Sequence, residues 1–311
     1  MRFTPLILLT CCVFLLAIAS CTQTENKGVL QAGKRMKVVT TTSILKDAVQ
    51  NIIGDAADVD AIMGSGVDPH LYKATQGDLK KLTEADVVIY NGLHLEGKMG
   101  EVLEKLSRQK TVVAGAESIA KDKLKRSPQF QDSYDPHVWF NVTLWKEVVQ
   151  HLSQELQKKD PTNAEVYQKN TAAYLQQLDD LNQWVTQEIQ SIPDNQRILI
   201  TAHDAFGYFG DEYGISVRGL QGISTVSEFG LQDVSALVNY ISENKIKAVF
   251  VESSVSPKAI EAVVIGSKQK GHEVKIGGTL YSDALGEAAT PEGTYTGMVR
   301  HNVNTIVSSL K

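Results

Sequence analysis

Seven histidines carry most of this chain's metal-ligating chemistry, and three of them stand in settings that favour it. His70 lies in Gly66-Val67-Asp68-Pro69-His70-Leu71-Tyr72 and His137 in Tyr134-Asp135-Pro136-His137-Val138-Trp139-Phe140-Asn141. His203 follows an apolar run in Thr201-Ala202-His203-Asp204-Ala205-Phe206. The Asp-Pro-His tripeptide thus occurs twice. Any one such histidine is more often a satisfied loop or core residue than a ligand. Proline before His70 and His137 restricts the backbone, which suits a preformed site. Asp283, in Thr279-Leu280-Tyr281-Ser282-Asp283-Ala284, adds a carboxylate. Three imidazoles and one carboxylate make a four-coordinate set with three nitrogens and one oxygen, which suits zinc, whereas manganese prefers more oxygen. The four residues are spread along most of the chain, so spacing alone leaves their convergence open.

The elements that must position them form a parallel α/β rhythm that begins at Met36, in which short β-rich apolar runs alternate with helical stretches. The pattern predicts strands at Lys37–Thr40, Val59–Met63, Val87–Tyr90 and Thr111–Ala114, then at Ile198–Thr201, Val217–Leu220, Ala248–Val251 and Val274–Ile276. Four and four imply two similar lobes. Parallel sheets bind ligands outside the carboxyl ends of their strands, where His70, His203 and Asp283 are expected. Asp160-Pro161 is a helix start, and no glycine or proline interrupts until Ile192-Pro193. Tyr167, Tyr174, Leu178, Leu181, Val185 and Ile189 recur at helical spacing, giving a rod of roughly 45 Å. Such a rod ties two lobes together or covers one large domain. The expected division is 36–159, 160–192 and 193–311.

The first twenty residues differ from the rest. Arg2, the apolar run Leu6–Ile18 and the small residues Ala17 to Ser20 make a secretory signal, too short to span a membrane. Ile18-Ala19-Ser20-Cys21 resembles a bacterial lipobox, which makes Cys21 the lipidated residue of the mature chain and 21–35 a polar tether. Cys11 and Cys12 leave with the signal, so Cys21 stays alone, with no disulfide to explain it. Among 311 residues, 36 acidic side chains outnumber 31 basic ones, and no basic face argues for nucleic acid.

Several segments resemble a known family, the metal-specific solute-binding proteins of ABC importers, receptors for zinc and manganese of the TroA and ZnuA type. The resemblance is densest in Tyr90-Asn91-Gly92-Leu93-His94-Leu95-Glu96, Asp135 to Asn141, Thr201 to Phe209, Gly219-Leu220-Gln221-Gly222, Phe250-Val251-Glu252-Ser253-Ser254 and Gly293 to Met298. It implies an α/β fold of two lobes, each with a four-stranded parallel sheet and helices, bridged by one long rigid helix at Asp160–Ile192. It places the metal ligands at His70, His137, His203 and Asp283. It also implies a membrane permease and a cytoplasmic ATPase as partners, a monomeric lipoprotein facing the periplasm or cell exterior, and Zn2+ or Mn2+ as transported ligand. The stretch Lys121 to Tyr134 lacks the histidines of zinc-specialised members, and His203 stands where members dedicated to manganese usually place glutamate; on balance the set favours zinc.

Other residues are read as structural. His94 is expected to pack or hydrogen-bond near the site, and His151, His272 and His301 to lie on the solvated surface. Glu252 and Glu228 are either carboxylate partners of ligand histidines or ordinary strand-end and loop acids. Gly92 to Met99 nearly matches a phosphate loop, but Met99 stands where a hydroxyl should meet magnesium. A zinc hydrolase would need an open coordination position and a general base, and a fourth protein ligand closes the first. A surface adhesin finds no repeat or disulfide module in support. The expected action is capture and release of a bare ion with modest lobe movement and local loop shifts around Asp283.

Overall fold

The computed structural model describes residues 34–127 and 133–311. The signal 1–20, Cys21 and the tether up to residue 33 lie outside the described residues. Among the described residues no helix is long and apolar enough to cross a membrane.

Four parallel strands form the first sheet: β1 (Lys37–Thr40), β2 (Asp58–Ala61), β3 (Val87–Tyr90) and β4 (Thr111–Ala114), in the order β2-β1-β3-β4. Helices α1 (Ser43–Ile53), α2 (Gln76–Glu84) and α3 (Gly100–Ser107) make the crossovers. Strand order reverses between β1 and β3, which opens a crevice at their carboxyl ends. Glu96 closes the back of that crevice, accepting the Thr41 hydroxyl at 2.6 Å and the Asn91 amide at 2.7 Å. The chain then runs through α4 (Val142–Lys159), a short turn at Pro161–Asn163 and α5 (Ala164–Gln190) into the second half.

There β5 (Ile198–His203), β6 (Ser216–Gln221), β7 (Ala248–Glu252) and β8 (Lys275–Leu280) alternate with α6 (Gly207–Tyr213), α7 (Leu231–Glu243), α8 (Lys258–Gln269) and a final α9 (Tyr295–Leu310). Parallel ladders join β5 to β6 and β7 to β8, and β5 lies beside β7. The expected four-stranded sheet is thus two bonded pairs side by side. At their carboxyl ends the link is a side chain, since Glu252 Oε1 accepts the His203 amide at 2.8 Å. Glu252 therefore holds the crevice of the second lobe as Glu96 holds that of the first.

The α5 helix has 27 residues, about 40 Å at 1.5 Å per residue. Asp160 opens it by accepting from Asn163 Nδ2 at 2.7 Å and the Tyr167 hydroxyl at 2.8 Å. Its buried stripe, Tyr167, Tyr174, Leu178, Leu181, Val185 and Ile189, packs on α1 and α4 of one lobe and on α6 and α9 of the other. Each such side chain contributes roughly 1.5–3 kcal/mol by burial. One continuous apolar cluster runs from α1 through α5 to α9. A wide hinge motion would have to break that cluster, so the packing favours small relative movement of the lobes.

Candidate metal centre

His70 and His137 owe their positions to one local device. Pro69 and Pro136 have no N–H, so the preceding aspartate reaches past the ring to the next amide. Asp68 Oδ1 accepts the His70 amide at 2.8 Å, and Asp135 Oδ1 accepts the His137 amide at 2.9 Å. His203 is the last residue of β5. A close neighbour makes room for it: a Cβ on Gly219 of β6 would come within 2.5 Å of the Asp204 nitrogen and 2.7 Å of the His203 carbonyl carbon. Only glycine lets β6 approach that strand end without displacing it. Asp283 lies three residues beyond β8, on a loop held by the opposite lobe. The Trp139 indole N–H donates to the Ser282 carbonyl at 3.0 Å, and the Leu285 amide donates to Ser43 Oγ at 3.0 Å.

These elements bring His70, His137, His203 and Asp283 together, with one donor atom from each within 4.8 Å of all the others, and all four are buried. The Nε2 atoms of His70 and His137 are 3.3 Å apart. His137 Nε2 is 3.4 Å from Asp283 Oδ1, and His203 Nε2 is 3.5 Å from Asp283 Oδ2. A tetrahedron of ligands about 2.0–2.1 Å from a central ion has edges of about 3.3–3.4 Å. These three separations are of the size found between neighbouring ligands of one transition-metal dication. His203 Nε2 and Asp283 Oδ1 are buried and make no well-directed hydrogen bond, which costs free energy unless a cation takes their lone pairs. Asp283 turns one oxygen to each lobe's histidine, so it can offer an ion one oxygen or two.

The three histidines differ in what stands behind them. His137 Nδ1 is 2.7 Å from Asp135 Oδ1, and His203 Nδ1 is 2.5 Å from Glu252 Oε2, the latter an ion-pair contact off the hydrogen-bond direction. Such carboxylates fix the tautomer and leave Nε2 facing the ion. Burial opposes charge on His137, yet Asp135 and Asp283 outweigh it and push its pKa up to about 9. Burial likewise opposes charge on His203, and Glu252 with Asp283 raises it well above the usual imidazole range. Burial pushes His70 down to about 3, the other imidazoles adding to it against the pull of Asp283. Although buried, Asp283 is held well below the usual carboxylate range, first by His203 and then by His137. Two of the three imidazoles are thus drawn toward the charged form and Asp283 is held ionised, whereas His70 is held neutral.

The remaining expectations divide. Glu252 is the partner of His203, whereas Glu228 is exposed. His94 is exposed, with a left-handed backbone (φ 67°), at the rim of a cleft that reaches His70. His151, His272 and His301 are half-buried, not fully solvated; His272 Nε2 meets the Ile246 carbonyl and His301 Nε2 the Thr279 carbonyl. Four side chains that act on the site drew no functional reading from the sequence: Asp135, Asp68, Trp139 and Ser43. The first two carried a signal, because aspartate before proline frees its carboxylate for the residue after.

A two-lobed α/β fold with three imidazoles and a carboxylate buried together between its lobes defines a receptor for a bare metal ion. The family model described as zinc-uptake complex component A, periplasmic, matches residues 38–309, and the chain belongs to that family, whose members are metal-binding receptors of ABC importers and not enzymes. Manganese-binding lipoprotein MntA of Bacillus subtilis is 54% identical over 288 residues, 93% of this chain and 94% of that protein. Zinc-binding protein TroA of Treponema pallidum is 46% identical over 285 residues, 92% of each chain. The solved structure of that periplasmic zinc-binding protein superposes with a TM-score of 0.87 at 46% identity, covering 89% of this chain and 99% of it.

Proposed function

We propose that this protein captures a zinc or manganese ion between residues 36–159 and 193–311, held apart by the bridge 160–192, and delivers it to the permease of an ABC importer driven by a separate cytoplasmic ATPase. His70, His137, His203 and Asp283 are its ligands. The observation that carries this reading is the set of 3.3–3.5 Å edges among buried donor atoms drawn equally from both lobes. Zinc takes three imidazoles and one Asp283 oxygen; manganese, which favours oxygen, takes both. The relatives' names divide between the same two metals. The protein works as a monomer outside the cytoplasm, anchored through a lipid on Cys21.

X-ray absorption at the zinc edge of the loaded protein is expected to give four light ligands at about 2.0–2.1 Å, with imidazole scattering from three. A first shell with sulfur, or one dominated by water, contradicts the assignment. Mass spectrometry of the mature N-terminus is expected to find an acylated Cys21; an unmodified or uncleaved terminus removes the anchor.

A further inference from the structure

An ion cannot enter where the lobes are pinned, and the pins are unevenly placed. Around Asp283 two of them are buried, Trp139 Nε1 to the Ser282 carbonyl and the Tyr295 hydroxyl to the Trp139 carbonyl at 2.6 Å, and a third, the Leu285 amide to Ser43, is part-buried. A cleft of about 230 Å³, lined by His70, His94, Pro136, Ser224 and Val226 and not by Asp283, reaches the site. Of the four ligands, His70 is the one that lines it. The loop after β6 forms one wall. Gln221 Nε2 stiffens that loop by donating to the carbonyls of Thr225 and Ser227 at 2.7 and 2.6 Å. At its tip the Thr225 hydroxyl donates to Asp68 Oδ2 at 2.7 Å, across from one lobe to the other, while Asp68 Oδ1 holds the His70 amide.

Resting on the receptor reading above, we propose that Thr225 is the latch of the ion's passage. Its hydroxyl holds the β6 loop against the His70 turn, and breaking that single bond opens the cleft without disturbing a ligand. Both partners are half-buried, so water can replace the bond when it parts. A latch of this kind sets rates, not affinity. It weights the closed form in the free and the loaded protein alike, so loosening it speeds entry and exit by the same factor.

The test is stopped-flow tryptophan fluorescence on the purified protein, mixing with zinc chloride and, separately, displacing zinc with a strong chelator. Thr225→Val keeps the shape and removes the hydroxyl. Association and dissociation are expected to quicken together by about tenfold, the weight of one hydrogen bond to a charged acceptor, with equilibrium affinity changed less than about twofold. Thr225→Ser, which restores a hydroxyl, is expected to return wild-type rates and serves as the measure should the valine variant fold poorly. Unchanged rates in Thr225→Val overturn the latch, as does a loss of affinity that falls on dissociation alone, because Thr225 would then merely support His70. A serine variant as fast as the valine one overturns it too. Wild-type protein that takes up no zinc or manganese overturns the receptor reading and the latch together.

Discussion

The molecule uses the Asp-Pro-His turn twice, and the two copies end differently. In both, the aspartate takes the amide of the histidine two residues on. At Asp135 the same oxygen also meets the His137 ring, and the histidine is buried behind Trp139, whose ring centroid lies 5.2 Å away. At Asp68 the second oxygen leaves the turn for Thr225 on the other lobe, and the His70 ring faces the cleft. On the proposed reading, one turn makes a fixed ligand and its twin a ligand beside the latch. Identical local chemistry gives different roles because the surroundings decide where the spare lone pairs of the carboxylate go.

That contrast can be broken at several strengths. His137→Ala should cost most, lowering zinc affinity by at least about a hundredfold, roughly a quarter share of a tetrahedral site worth about 10–16 kcal/mol. Competition against a chelator measures it, and retained affinity would remove His137 from the site. Asp47 tests the opposite case, a half-buried carboxylate with no cationic partner among the described residues. Burial raises its pKa to about 6, against the pull of the Tyr295 amide at 3.1 Å and the Tyr174 hydroxyl. Because the folded pKa lies above the unfolded one, this group's stabilising effect is complete below about pH 4 and is lost as the pH rises through about 6. Asp47→Asn should therefore stabilise the fold at pH 7.5 by at most about 3 kcal/mol, with the gain vanishing near pH 4. Denaturant melts across that range measure it, and a gain that grows toward low pH would contradict the assignment.

Smaller effects separate the two turns directly. Asp135→Asn should weaken zinc binding by about 10–100-fold, since it keeps an oxygen beside His137 but removes the negative charge behind its ring. Asp68→Asn keeps an oxygen for the His70 amide, and an equal loss of affinity there would erase the difference between the turns. Trp139→Phe removes the indole donor to the loop of Asp283 and should cost about tenfold in affinity, together with faster amide exchange at 281–286. Unchanged exchange would leave that loop held by other contacts. His151→Ala, far from both turns, should change no titration.

How much of this could be read in advance follows from which forces are local. β1, β3 and β4 were legible to the residue because unbroken β-branched runs have one use in such a chain. β8 was misplaced, its run to Leu280 hidden by Gly277 and Gly278. Those glycines answer to packing, for a Cβ on Gly277 would meet Phe250 at 2.7 Å. Lobe similarity was legible from rhythm, yet the break between the β5–β6 and β7–β8 ladders was not. At the site, residue types pointed to four candidate ligands and strand ends to three of them, His70, His203 and Asp283, but no spacing could state that they meet. Thr225 left no trace at all, because its partner is 157 residues away and belongs to the other lobe.

The central claim is that both lobes close on one ion. Metal analysis of the purified protein by mass spectrometry, followed by competitive titration with zinc and manganese read through Trp139, tests it directly. The account predicts one equivalent of zinc or manganese per chain, lost on changing a ligand from either lobe, His137→Ala or His203→Ala. No stoichiometric metal, or an ion still held when either lobe's histidine is gone, would contradict it.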